Sequence, residues 1–434
     1  MSLFRFDAAF REELRTNWPV LLLAFSCLFF GFSAPAFALP FLFAEVIKEF
    51  GWTREQATLL ASAKYLVGAV SALLVGRFLD ITGVRSALLV TIGLGGLSLI
   101  SFLWVPNLTA YYIVGAMMGL AGPGAMVAVK VLVSRTFHES QGTATGVALL
   151  GTSLGSVLVP LAISAMIGAF GWRMAFAGLS IGIWVVAMPM LLFFFPKGAR
   201  TPVAEPTIAG VAPTARGWGE VIKLARGKTF WILGTALFIG AVVDQAFIQH
   251  QVLILNDLDM SRDTAALAVS AIGVVGIFFR ILIGNLLDST SNKGLSAMYV
   301  LVSITSLVAF YLVNPFLLMS FVVLRAAGHA AILIDLNVLT KQTFGLRNFG
   351  TLVGVYTAMV SLGFALGPWI MGRLFEVYGN YNAAFVLFAI LPLVGAVLVW
   401  HLKPTFWLAA RAEKAAAALK TESASVRPLD QIAP

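Results

Sequence analysis

Lys64, Asp244, Gln245, Arg280, Arg325, His329 and Asp335 lie inside stretches that are otherwise almost wholly apolar. A charge is expensive in hydrocarbon, so each such residue must face a partner or a water-filled cavity and marks a functional site by default. The chemistry they offer is specific. The Arg280 guanidinium stays charged and can grip a carboxylate with two parallel hydrogen bonds. Asp244, with Gln245 beside it, is either a resting partner for Arg280 or a proton carrier, and spacing does not decide between them. Arg325 and His329 are four residues apart and share one helix face. With Asp335 on the same run they suit a proton relay, or equally a buried hydrogen-bonded cluster with no transport role. Lys64 offers a second contact for an anion. His250, near the end of its run, reads as interfacial.

Other chemistries are missing. The single cysteine, Cys27, allows neither a disulfide framework nor a Cys/His metal site. The G-x-x-x-x-G-K loop of a nucleotide site does not occur. The sequence therefore implies no enzyme, no cofactor and no metal, and any work must be drawn from gradients.

The elements that hold these residues follow from composition. Of the 434 residues 59% are hydrophobic and 11% charged, with mean hydropathy +0.92, whereas soluble domains are about 45–50% apolar and about 25% charged. Twelve apolar runs are long enough to cross a bilayer: 18–43, 55–77, 86–105, 109–133, 141–168, 173–195, 229–253, 264–286, 295–313, 316–341, 349–373 and 383–403. The expectation is an all-α integral membrane protein. It divides into a cytoplasmic N-terminal segment (1–17), a six-helix bundle (18–195), a cytoplasmic linker (196–228), a second six-helix bundle (229–403) and a cytoplasmic tail (404–434). Most of the 29 Lys and Arg fall in segments on the side of both termini, which puts that side inside by the positive-inside rule. The net charge of +9 is thereby spent on topology and anionic headgroups, leaving no case for nucleic acid.

The two bundles are copies of one unit. Residues 76–85 read GRFLDITGVR and 284–293 read GNLLDSTSNK, and 284 minus 76 gives an offset of 208. The same offset pairs Thr53-Arg54 with Ser261-Arg262, Gly155 with Gly363 and Pro160 with Pro368. Parallel membrane repeats of this kind imply a carrier whose substrate site lies between them. Gly76 and Gly284 permit close helix approach, and Asp80 and Asp288 can pair with Arg77, Arg85, Arg135 or Lys293 as a breakable gate. Glycines in the fifth and eleventh runs are either hinges or tight packing. Shifting Asp244, Arg280, Arg325, His329 and Asp335 back by the offset lands on Ala36, Ala72, Met117, Ala121 and Val127. The second copy thus holds the charge, and the first, with Phe37, offers a greasy wall.

The repeat, the twelve runs and the 76–85 signature resemble the major facilitator superfamily over about 18–403. The phrases Gly51-Trp52-Thr53-Arg54, Gly171-Trp172-Arg173, GIFFRILIGNLLD (276–288) and TFGLRNFG (343–350) are similar to its prokaryotic monocarboxylate-transporter-like and oxalate–formate carrier branch. In that branch Arg280 occupies the position of the arginine that holds the anion, while Gly276 stands where monocarboxylate transporters have an aspartate. The resemblance implies a monomeric secondary transporter of small carboxylates in a prokaryotic cell membrane, with both termini cytoplasmic. Proton symport is the first expectation; organic-anion exchange and drug or cation efflux are the alternatives.

Overall fold

The computed structural model describes residues 8–137, 141–196, 215–312, 315–345 and 349–413. The linker residues 197–214, tail residues 414–434 and Arg347 lie outside them. The chain is helical throughout the described residues. We number the helices α1 (8–50), α2 (54–82), α3 (84–101), α4 (Leu108–Thr136), α5 (141–170), α6 (172–193), α7 (Ala215–Ala225), α8 (Lys228–Asn256), α9 (Arg262–Thr290), α10 (Asn292–Val308), α11 (Pro315–Phe344), α12 (Phe349–Tyr378), α13 (Asn382–Trp400) and α14 (405–413). Twelve of them are membrane-spanning rods, six in each half, with α7 between the halves and α14 after the last rod. By length and apolarity ten continuous stretches of the described residues would cross a membrane; one of them, 143–193, is bent into α5 and α6, and α2 falls outside the ten.

The bends show why the repeat was visible in the sequence. Of the seven described residues with positive φ, Gly345 (74°) stands alone and six fall in three pairs at the same offset: Gly51 (64°) with Asp259 (56°), Gly83 (81°) with Ser291 (52°), and Gly171 (76°) with Gly379 (70°). Each marks a reversal from one rod to the next. Glycine takes this conformation without a Cβ clash, so Gly83 and Gly171 turn the chain with hardly a loop. Ser291 makes the corresponding turn with a side chain, and its hydroxyl is held by Gln342 Oε1 at 2.6 Å. The helix starts repeat as well. Thr53 caps α2 in a reciprocal box with Gln56, and Ser261 Oγ accepts from Thr264 N at the start of α9.

Call the end where α1 and α8 begin the near end, and the other the far end. Within each half, glycines bring backbones together. A Cβ on Gly119 would lie 2.3 Å from Lys64 O, and one on Gly151 2.6 Å from Phe25 O. In the second half a Cβ on Gly363 would lie 2.8 Å from Phe238 O, and one on Gly367 2.1 Å from Val242 O. Of the two readings of the glycine-rich rods, tight packing describes these positions. Gly146, Gly284 and Gly354, toward the near end, meet nothing within 4 Å.

The halves touch from mid-depth to the far end. Arg54 Nη2 meets Asp257 Oδ1 at 2.5 Å, and Arg262 Nη1 meets Glu45 Oε1 at 3.2 Å. These two pairs are reciprocal: the arginine that opens α2 reaches the end of α8, and its repeat partner opening α9 reaches the end of α1. Arg54 N donates to Glu376 (2.7 Å), Ser164 to Asp263 (2.7 Å), and Trp369 and Arg373 both bond Glu55 (2.9 and 3.2 Å). The polar contacts between the halves named here all lie from mid-depth to the far end.

The glycine contacts carry a direct consequence. Gly367→Ala should destabilise the folded protein by roughly 1–3 kcal/mol, because the methyl group collides with a helix carbonyl. Gly354→Ala, in open space on a helix, should be neutral or stabilising by up to about 1 kcal/mol. Thermal unfolding of both variants in detergent checks the contrast.

Candidate functional site

Asp244 on α8 is 1% exposed and Arg325 on α11 is 3% exposed. Arg325 Nη1 donates to Asp244 Oδ1 at 2.7 Å, and its Nη2 to the Asp244 carbonyl at 2.8 Å. One helical turn on, His329 Nδ1 lies 3.0 Å from Asp244 Oδ2 and 3.1 Å from Oδ1. The shared face of Arg325 and His329 thus closes on one carboxylate. Such a pair compensates the cost of burial only when its geometry is good and the remaining lone pairs are satisfied, and here both oxygens are.

This arrangement corrects one expectation. Asp244 is not the partner of Arg280, since Arg325 and His329 already occupy its carboxylate. Arg280 on α9 is half-buried, and its one hydrogen-bond partner among the described residues is Ser153 Oγ of α5, in the other half, at 3.1 Å. Its Nε is buried with no partner. Gln245 also crosses between halves, with Nε2 donating to Tyr65 Oη at 2.7 Å.

Arg280, Arg325 and His329 line one cavity between the halves. Phe37 and Pro40 of α1 and Ser156 of α5 form its other wall, and Ile248, Gln251, Val269, Ile272, Gly273 and Gly276 complete it. The greasy wall expected from the first copy is present in Phe37, whereas Met118 is packed in the core. The cavity measures about 30 Å³, room for two waters at the ~10–15 Å³ that one requires. A larger guest requires the walls to part. No group of three or more His, Cys, Asp or Glu able to hold a metal occurs among the described residues.

The remaining expected site residues are dispersed. Lys64 is half-buried beside its neighbour Tyr65, with Nζ 5.0 Å from that ring, and does not line the cavity. Asp335 faces α10 instead of the Asp244 cluster. Its Oδ2 lies 3.2 Å from Tyr299 Oη, whose single proton is shared with Ala236 O at 2.8 Å. Of the expected gate, Gly76, Arg77 and Asp80 lie outside the residues whose side chains the structure describes. Arg85 Nη2 caps the end of α6 at Leu192 O (3.1 Å). Asp288 is exposed and makes no ion pair among the described residues, and Lys293 is exposed with Nζ 5.6 Å from the Trp400 ring.

The inter-half polar contacts found at the far end were missed in the sequence. The signal was available in the duplicated Thr53-Arg54 and Ser261-Arg262; of their partners, Asp257 has Glu49 at the repeat offset, whereas Glu45 has Leu253. His250 is also misread as interfacial. It is fully buried, with Nε2 3.0 Å from the Pro368 carbonyl and Nδ1 3.0 Å from Tyr381 Oη. A carbonyl can only accept, so Nε2 carries the proton and Tyr381 donates to Nδ1. Burial pushes the Tyr381 hydroxyl up against the pull of the Arg54 guanidinium, which keeps it a phenol able to donate. Arg54 Nη1 bonds the same oxygen at 2.9 Å.

The paired and unpaired arginines should differ on substitution. Asp244→Asn leaves Arg325 buried without a counter-charge and should cost about 3–5 kcal/mol. Adding Arg325→Met should recover most of that loss. Thermal unfolding in detergent separates these outcomes, and equal melting of the single and double variants would rule out the pairing argument.

The profile of the Major Facilitator Superfamily matches residues 21–314 and 246–431. Among curated proteins, the chain is 23% identical to human Monocarboxylate transporter 12 over 67% of its own length and 61% of that protein's. It is 22% identical to human Monocarboxylate transporter 10 over 88% of its length and 77% of that protein's. The chain thus spans less than two thirds of Monocarboxylate transporter 12. Among solved structures, a bacterial homologue of the human lysosomal transporter Spinster superposes with a TM-score of 0.66 at 16% identity, covering 94% of this chain and 98% of that one. The nucleoside transporter NupG, in a mutant form, superposes with a TM-score of 0.76 at 14% identity, covering 89% and 99%. Two six-helix halves with a polar site between them, matched along nearly the whole chain, place this protein in the Major Facilitator Superfamily.

Proposed function

We propose that this transporter carries small organic anions, monocarboxylates foremost, by alternating access of the halves 18–195 and 229–403 about the cavity, driven by proton symport. The observation that carries the reading is Arg280. It lines the cavity and has no carboxylate partner among the described residues, while Arg325 is neutralised by Asp244. A guanidinium held at mid-depth without a carboxylate calls for one from outside. The likeness to monocarboxylate transporters supports the same chemistry. A cation pump is disfavoured, because the acid of the site is already covered by Arg325 and His329. The proton falls to His329 and Asp244, whose contact breaks and reforms with the charge on the imidazole; Asp335 is a separate store. The chain acts as a monomer in a prokaryotic cell membrane, both termini cytoplasmic, and the conformer closed at the far end is inward-facing. The Spinster homologue, whose described state is inward-facing and unoccupied, supports that assignment.

One observation favours exchange as a second reading. Arg280 has no resting acid, so an empty carrier must return with an uncompensated cation, and reloading with a second anion removes that cost. His329→Gln separates the two. In proteoliposomes, a symporter carrying this substitution loses accumulation driven by a pH gradient and keeps anion counterflow. Unchanged accumulation in the variant would refute coupling at His329.

Ligand class is tested by thermal unfolding against panels of carboxylates, amines and nucleosides. A ligand at about 100 times its dissociation constant adds roughly 2.7 kcal/mol. A carboxylate class should raise the midpoint, and Arg280→Gln should abolish the response. Stabilisation by amines or nucleosides alone would sink the anion reading.

A further inference from the structure

Arg280 and Ser153 belong to different halves, yet they share a hydrogen bond beside the cavity that Arg280 lines. What allows it is a close crossing of α5 and α9. At Gly273 a Cβ would stand 2.7 Å from Ser156 O, so only a bare backbone lets the helices meet there. The Ser156 hydroxyl is spent on the Ser153 carbonyl at 2.7 Å. The Ser153 hydroxyl is buried and has no partner but Arg280 among the described residues.

The atom that Ser153 holds matters. A guanidinium has two edges that match a carboxylate: Nη1 with Nη2, and Nε with Nη2. Ser153 occupies Nη1. Nε is buried and unpartnered, and Nη2 makes no bond among the described residues. Ser153 thus anchors one end of the guanidinium, and the Nε/Nη2 edge carries no protein hydrogen bond among the described residues.

We propose that Ser153 is a positioning residue for the bound anion. From the opposite half it fixes the Arg280 guanidinium with its Nε/Nη2 edge free for a carboxylate. This rests on the reading of Arg280 as the anion anchor. Because the orienting hydroxyl and the guanidinium sit on different halves, tight anion binding depends on how the halves are arranged. By linkage, the anion then favours the conformer in which this bond is made.

The test uses the full chain in detergent with Cys27→Ser, Gly146→Cys and Gly354→Cys, spin-labelled at the two open near-end positions. Acetate, L-lactate and benzoate are titrated separately. Affinity and the label–label distance distribution are read for the parent, Ser153→Ala, Ser153→Thr, Gly273→Ala and Arg280→Gln. Loss of one hydrogen bond to a charged group corresponds to roughly tenfold weaker binding. Ser153→Ala should show that loss, together with loss of the anion-induced change in distance. Ser153→Thr, which keeps the hydroxyl, should restore both. Gly273→Ala, which pushes the helices apart and leaves both side chains in place, should reproduce the loss even if Ser153→Ala folds poorly. If Arg280→Gln abolishes binding while Ser153→Ala and Gly273→Ala bind like the parent, the role of Ser153 is overturned and the anion reading stands. If no carboxylate binds the parent, or Arg280→Gln still binds one, both fall.

Discussion

A charge buried in hydrocarbon has to be neutralised, hydrogen-bonded or exposed to a cavity, and the inner half of this protein is organised around that cost. Asp244 and Arg325 meet it together: the main-chain carbonyl of Asp244 takes a second guanidinium hydrogen bond and the ring of His329 faces both carboxylate oxygens, while Arg325 Nε stays without a partner. Arg280 meets it only in part, through a single serine hydroxyl. The difference between the two arginines is thus one of partners and not of residue type. It separates a group that holds the bundle together from a group that is available to a guest.

Closure of the far end has another energetic character. Its ion pairs are partly exposed, and exposed pairs contribute little each, about 0–1 kcal/mol. A clasp built from Arg54–Asp257, Arg262–Glu45 and the contacts of Glu55 is therefore specific in geometry and cheap to undo. The fully buried His250 ties this seam to the Pro368 carbonyl inside α12, through the Tyr381 hydroxyl that Arg54 also holds.

The sequence by itself determined the class, the twelve rods and the duplication. These depend on local quantities: run length against bilayer thickness, and turn residues recurring at a constant offset. It also picked out Arg280, Asp244, Arg325 and His329, because a charge in an apolar run stands out in one dimension. The pairing of Arg325 with His329 followed from helical spacing alone.

Only the tertiary structure decided which acid meets which base. Asp244 precedes Arg325 by about eighty positions, and nothing local distinguishes it from Asp335, which turns to Tyr299. Ser153 carried no signal and His250 read only as interfacial, since their partners lie on helices far off in the chain. Gly76, Arg77 and Asp80 of the expected near-end gate lie outside the residues whose side chains are described, and the polar seam that the described residues do show lies at the far end, where the way the halves lean brings it together. That arrangement is set by contacts such as Gly273 on Ser156 and Gly372 on Glu55, which join residues far apart in the chain and leave no pattern along it.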